Sequence, residues 1–581
     1  MFRKTLVILI LSIGFLAFMQ EINACTNILI TKGASTDGST FVSYAADSHD
    51  LYGELYYWPG RVYAPGTMLD VYEWDTGKYL GQIPQISQTY TVIGNMNEHQ
   101  VTVGETTWGG REELSDSTAI IDYGSLIYIA LQRSRNAREA INVMVRLVEE
   151  HGYASSGESF SIADPNEVWI LELIGKGSNF QTDKKTKQTT NANKGAVWVA
   201  VRIPDGYVSA HANQARITKF PLEDEIKSIS SKNLNKIFNA DIEIIYSHDV
   251  ISFAKSKGYF NGNDADFSFC DAYNPLDFGA LRGCESRVWS AFRTMNPEMD
   301  KYLSYILGES KEKMPLYIRP AKKVSAADMK AMMRDVFEGT PLSLTQDPGA
   351  GPYKAPYRFR PLTWKLDGVE YTNERAIATQ QTGFSFVAQM RHWLPNPIGG
   401  IFWFGVDDAN MTVYVPMYMG MNSIPENVAV GNGNMLEFTW NASFWVFNWV
   451  ANQAYHRFNQ MIIDIRKVQQ ELEGKFDTNI PVIDQVALNL YKESLDAARE
   501  FLTEYSHTQS YMTHERWKKL GEFLMVKYID GNLHKEEDGV FLRNPHGNPL
   551  HATFPGYSED FYRNIVDKTG DKLKVKEIKQ K

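Results

Sequence analysis

The feature that most constrains this 581-residue chain is a junction close to its start. Arg3 and Lys4 precede an apolar run from Leu6 to Met19, five residues ending in Ala24 follow, and Cys25 then opens a segment rich in β-branched and apolar residues, Thr26-Asn27-Ile28-Leu29-Ile30-Thr31. The apolar run spans 14 residues and contains a Gly and a Ser. That is short of the roughly 20 needed to cross a bilayer, and it ends at a small residue suited to signal peptidase. Residues 1–24 therefore read as a secretory signal peptide, with the mature chain periplasmic or extracellular and Cys25 as its first residue.

A cysteine at a cleavage site has two uses. In a lipoprotein it is acylated and tethers the chain, which is the one route by which a membrane becomes a partner here. The preceding Ile22-Asn23-Ala24 lacks the Leu that a lipobox prefers, and the strand-like sequence starts at once, with no polar spacer. In the other use, cleavage frees the α-amine of the residue whose thiol attacks the substrate. An α-amine titrates near 7.7 to 8.0 and a thiol near 8.5, so one residue supplies nucleophile and base at neutral pH without a histidine.

The next residues support the second use. Lys32 to Ser39 is a run of turn formers, and Thr40-Phe41-Val42-Ser43-Tyr44-Ala45-Ala46 is a second strand. A hairpin whose turn is centred near Ser35 and Thr36 sets Cys25 opposite Ala46 and brings Asp47 beside the start of the mature chain. By itself Asp47 is equally readable as an ordinary loop acid.

Lys plus Arg number 59 against 69 Asp plus Glu, a net charge of −10. No positive field exists to attract phosphates, so nucleic acid is not expected as a partner. There are three cysteines, Cys25, Cys270 and Cys284, too few for a disulfide framework and lacking zinc-ribbon spacing, so neither a metal nor another cofactor is expected. Cys270 and Cys284 either pair in an oxidising compartment or remain two buried thiols. The composition leaves a homo-oligomer open.

The opening Cys-Thr-x-Ile-Leu-x-x-Lys-x-Ala-Ser-x-Asp-Gly-Ser-Thr, Cys25 to Thr40, resembles that of bacterial cysteine dipeptidases of the dipeptidase-A type, N-terminal-nucleophile hydrolases related to penicillin V acylase and bile salt hydrolase. Further matches follow in order: Gly94 to Glu98, Gly104-Glu105-Thr106-Thr107-Trp108, Ala163 to Trp169, Val208 to Ile217, Cys284 to Arg287, Gln380 to Gly383 and Gly399 to Trp403. The resemblance implies a dipeptide or short-peptide substrate and five site residues. Cys25 is then the nucleophile, Asp47 bonds to the N-terminal residue, and Asn97 donates to the oxyanion. Asn213 orients the α-amine or scissile group, and Arg287 favours the thiolate. Where many relatives have an arginine three residues before the aspartate, this chain has Tyr44. His211 is read as structural or substrate-contacting, because no Cys–His framework surrounds Cys25.

Alternating stretches at 159–163, 167–172 and 197–201 read as strands, and Ala137 to Glu150 has helical spacing that stops at Gly152. Strands and helices mix without βαβ regularity, which fits an α+β fold. The resemblance likewise implies an αββα N-terminal-nucleophile sandwich over residues 25–440. A mainly helical appendage over 441–581 is expected to hold amphipathic helices at Asn452 to Glu473, Ile483 to Tyr505 and His514 to Tyr528. Gln346 to Pro361 reads as a long surface loop. A secreted thiol dipeptidase is the favoured function. An amidase or acyltransferase on non-peptide amides, and a surface lipoprotein that binds glycans or peptides, are the alternatives.

Overall fold

Apolar and β-branched residues fill both arms of the first hairpin, so Thr26–Ile30 and Thr40–Asp47 form strands buried along their whole length. Their register pairs Thr26 with Ala45, Ile28 with Ser43 and Ile30 with Phe41, which centres the connection on Ser35 and Thr36 as the spacing predicts. The strand Thr382–Met390 pairs on the far side of Thr40–Asp47, and the ladder is irregular between Ala46 and Asp47. That bulge re-aims Asp47, the residue beside Cys25. The computed structural model describes residues 25–187 and 189–576. The signal segment expected at 1–24 lies outside the described residues.

Two large sheets face each other. The first runs Tyr317–Ile318, Val208–His211, Thr26–Ile30, Thr40–Asp47, Thr382–Met390, Gly400–Val406, Val415–Tyr418. The second carries Ala196–Arg202, Val168–Gly175, Gly157–Ala163 and Thr102–Gly109 at its centre. The hairpin strands of the first pack on Thr102–Gly109 and Gly157–Ala163 of the second. Helices Tyr123–Arg133 and Ala137–His151 cover the second sheet, while Ser286–Met295, Ala326–Met333 and the C-terminal helices cover the first. The chain is thus a mixed α/β protein with a helical C-terminal region. With a sheet face on one side and a helix on the other, the central strands read as continuous apolar runs, in contrast to the alternation of a half-exposed sheet.

The helix Ala137–His151 begins at Asn136, whose side chain accepts from the Glu139 amide, and stops at Gly152, where φ is +79°. The C-terminal helices break elsewhere than expected. They span Ser443–His456, Phe458–Glu493 and Leu495–Lys527. The middle one passes through Pro481 without stopping, because its buried stripe of Leu472, Phe476, Ile480 and Ala487 continues on both sides of the proline. Packing of that stripe outweighs the local penalty of about 3 kcal/mol for an internal proline. The break falls instead at Ser494, which caps the next helix by accepting from the Ala497 amide. Phe447, Trp517 and Leu524 from this region belong to the same apolar cluster as Ile28, Phe41 and Trp403 of the first sheet. The Lys330 Nζ, 3.0 Å from Asp477 and 4.0 Å from the Trp403 ring centroid, fastens the region to the sheet.

Residues 346–361 are irregular as expected, apart from a short turn at Pro348–Ala350. Of the two readings of Cys270 and Cys284, the structure shows buried free thiols.

Candidate active site

Three segments far apart in sequence meet at Cys25. The first is the hairpin, which ends at the cysteine itself. The second is the loop after Val208–His211. Glu172 fixes it by accepting from the amides of Arg216 (2.5 Å) and Ile217 (3.0 Å), and burial pushes that carboxyl up to about 7. The buried Arg216 guanidinium in turn meets Glu285 at 2.9 Å. Held this way, Asn213 sits in the left-handed region at φ +53°, which asparagine tolerates better than most residues. The third segment is the helix Ser286–Met295, which delivers Arg287.

Arg287 is fully buried and binds all three segments. Its Nη1 donates to the Cys25 carbonyl (2.6 Å) and the Thr26 hydroxyl (2.8 Å). Its Nη2 donates to Asn213 Oδ1 (2.9 Å), and its Nε donates to the Gly283 carbonyl (2.7 Å). Burial and the nearby Arg375 charge bring the guanidinium down to about 9, so it remains cationic at neutral pH. Its partners are the Cys25 backbone, the Thr26 hydroxyl and the amide of Asn213, rather than the Cys25 sulfur. Asn213 Nδ2 donates to the Thr107 carbonyl (2.5 Å).

The thiol itself is 6% exposed, and its Sγ lies 3.5 Å from Glu105 Oε1 and 3.6 Å from the Tyr44 hydroxyl. Tyr44 donates to the same Glu105 oxygen at 2.6 Å. Burial raises the thiol well above its ordinary value, and the Glu105 and Asp47 charges add to that rise. The Asp47 backbone N–H and the Tyr44 hydroxyl oppose it. Asp47 therefore meets Cys25 through its main chain. Its carboxylate turns away to pair with Arg375 and to accept from Thr382 Oγ1 (2.6 Å).

Asn97 is not brought to the thiol. Its Nδ2 donates to the carbonyls of Leu131 and Ser134, both at 2.7 Å, at the end of the helix Tyr123–Arg133. Its Oδ1 accepts from the amides of His99 (2.9 Å) and Val101 (3.0 Å). Both amide hydrogens and the oxygen are thus consumed in tying a tight turn to a helix end, and none remains for an oxyanion. This corrects the role that the sequence resemblance implies for Asn97. His211 is structural: Thr106 Oγ1 and Ser161 Oγ hold its two ring nitrogens at 2.7 Å, and burial lowers it to about 3. It stays neutral and is not aimed at the thiol.

Sequence reasoning missed Glu105, Glu158 and Arg375. Glu105 sits inside the Gly104-Glu105-Thr106-Thr107-Trp108 motif, and an acid flanked by apolar and small strand residues was the available signal, since such a position faces the core. Arg375 lies in an irregular segment with no signal of its own. The arrangement offers one nucleophilic atom on a backbone clamped by a guanidinium, with an asparagine amide beside it.

Comparison with known proteins places the chain. Residues 54–471 match Peptidase family C69, and the protein belongs to that family of peptidases. A probable dipeptidase of Salmonella dublin is 24% identical over 424 residues, covering 69% of this chain and 82% of that protein. A probable dipeptidase of Latilactobacillus sakei is 23% identical over 519 residues, covering 84% and 92%. A dipeptidase of Bifidobacterium longum is 24% identical over 437 residues, covering 69% and 72%.

Proposed function

We propose that the protein is a secreted dipeptidase of the N-terminal-nucleophile type, in which removal of residues 1–24 exposes Cys25 as nucleophile and base in one. The observation that carries this reading is the setting of the thiol. Burial and two carboxylates hold it protonated, and the histidine nearest in sequence to Asn213 is locked by Thr106 and Ser161. A base must therefore come from elsewhere, and the freed α-amine of Cys25 is the group already attached to the right residue. The facing sheets with helices outside support the sandwich architecture, and the names of the relatives support dipeptides as substrates.

In the mechanism, the α-amine of Cys25 takes the thiol proton and Sγ attacks the carbonyl carbon of the scissile bond. Arg287 keeps the Cys25 carbonyl in place, and the Asn213 amide steadies the oxyanion or the amine. The tetrahedral species collapses to a thioester as the second amino acid leaves with the proton. Water, activated by the same amine, then releases the first amino acid. Asp47 and Arg375 are scaffold for the bulge that aims the Asp47 N–H at sulfur.

The test compares protein whose mass shows Cys25 as the first residue with protein that keeps one residue ahead of it, on a dipeptide panel. The first is expected to turn dipeptides over, the second to fold and be inactive. Full activity in the extended form overturns the single-residue mechanism.

A further inference from the structure

The acid beside the nucleophile needs a reason. Glu105 Oε1 is 3.5 Å from Cys25 Sγ, and its negative charge opposes thiolate formation, so it is not there to activate the sulfur. Behind it stands a second buried carboxyl, Glu158, which accepts from Thr107 Oγ1 at 2.7 Å. Burial raises both above the ordinary carboxylate range; the Glu105 charge adds to the rise at Glu158, while the hydrogen bond from Glu158 moderates the rise at Glu105. Neither Oε2 finds a donor outside the pair, the two carboxyls share a hydrogen bond with each other, and among the described residues neither lies within ion-pair distance of a lysine, arginine or histidine. The nearby Arg287 and Arg375 are engaged on the other side of Cys25, with its carbonyl and with Asp47. Two buried acids with no cation, one of them touching the attacking atom, form a site for a cation that arrives from outside.

The geometry of a peptide says which cation. The nitrogen of the first residue is about 2.5 Å from the carbonyl carbon under attack, since one Cα separates them. An attacking sulfur stands roughly 3–3.5 Å from that carbon. An acceptor 3.5 Å from Sγ is therefore in reach of the ammonium of the first residue. It is a poor partner for the α-amine of Cys25 itself, because a carboxylate that held that amine as ammonium would stop it from acting as a base. We propose that Glu105, backed by Glu158 and oriented by the Tyr44 hydroxyl, receives the α-ammonium of the substrate. The enzyme then requires a free, unblocked N-terminus and cuts after the first residue. This deepens the dipeptidase reading and rests on Cys25 being the nucleophile.

The experiment uses the mature protein and two probes that alkylate Cys25, an aminoacyl chloromethyl ketone and its N-acetyl form, alongside a dipeptide and its desamino analogue as substrates. Labelling is read by peptide mass. The wild type is expected to prefer the free-amine member of each pair by about 10- to 100-fold, the worth of a buried charge-assisted bond. Glu105→Gln keeps shape and volume, and a thermal melt checks its fold. It should lose most of that preference by slowing on the free-amine compound, while the blocked probe reacts no more slowly than with wild type. No preference in the wild type overturns the proposal without recourse to any variant. A Glu105→Gln protein that slows equally on blocked and free compounds overturns it too, and assigns the acid to the enzyme's own α-amine. If dipeptides are inert yet the labelling preference holds and depends on Glu105, the dipeptidase reading fails and the ammonium receptor stands.

Discussion

The two sides of Cys25 are built in opposite ways. On the carbonyl side, cations dominate and are paired: Arg287 binds the Cys25 carbonyl, Thr26 and Asn213, and Arg375 pairs with Asp47. On the sulfur side, acids dominate: Tyr44 and Glu105 touch Sγ, and Glu105 and Glu158 share a hydrogen bond with each other but have no cation within ion-pair distance among the described residues. Polar groups paired within the fold hold the backbone around Cys25 in place. Buried acids without a cation cost stability, and a protein retains them where a substrate completes the site.

The comparison can be broken by substitution. Cys25→Ala should abolish turnover and leave the thermal transition nearly unchanged. A Cys25→Ala enzyme as active as wild type would remove sulfur from the chemistry altogether. On the carbonyl side, Arg375→Met leaves the buried Asp47 carboxylate without its cation, and the expected loss is about 3–5 kcal/mol in urea unfolding. Activity per folded molecule should fall far less than stability, and the reverse would make Arg375 part of the reaction machinery.

Asn213→Gly keeps a residue at ease with the left-handed φ but removes the amide. The expected cost is roughly 10² to 10³ in kcat, or about 3–4 kcal/mol, beyond a stability loss of about 1–3 kcal/mol from the stranded Thr107 carbonyl and Arg287 guanidinium. If kcat holds, the amide only braces the Thr107 carbonyl. Asn97→Ala tests the corrected assignment: stability should drop by about 1–3 kcal/mol from the stranded carbonyls and amides, while kcat of the folded enzyme stays that of wild type. A rate loss as large as that of Asn213→Gly would restore Asn97 to the oxyanion.

The smallest effect has a sign set by pH. Burial first, then the Glu105 charge, raises the Glu158 carboxyl in the folded protein, so the stability it contributes is fully present below the ordinary carboxylate pKa and is lost as pH rises through the folded value. Glu158→Gln mimics the protonated acid and should match or exceed wild-type stability at neutral pH. That advantage should shrink as the pH falls toward about 4, the unfolded value. An advantage that grows on acidification would mean that Glu158 is ionised and paired in the native state.

Much of the centre was legible in the sequence because it is local. The hairpin register follows from strand alternation and a run of turn residues between near neighbours, so the side-by-side placement of Cys25 and Asp47 was readable without any long-range information. The order of family motifs placed Asn213 and Arg287, and the structure joins them by a hydrogen bond. The helix Ala137–His151 and its Gly152 stop were likewise written in 3.6-residue spacing. The C-terminal breaks were not, because a proline normally ends a helix and only burial of the stripe on both sides of Pro481 overrides it.

What only the tertiary structure decided is the direction in which each buried polar group spends its bonds. Asn97 and Asn213 are both buried asparagines within family motifs, yet one closes a turn and a helix end while the other meets Arg287. Glu105 reaches the thiol across 80 residues, Arg287 reaches the Cys25 carbonyl across 262, and Arg375 reaches Asp47 across 328. Strand and helix periodicity tell which face a side chain occupies, because that depends on backbone dihedrals alone. The identity of the atom facing it depends on how distant segments pack, and the charge left uncompensated beside Cys25 exists only once two sheets and a helix have closed around it.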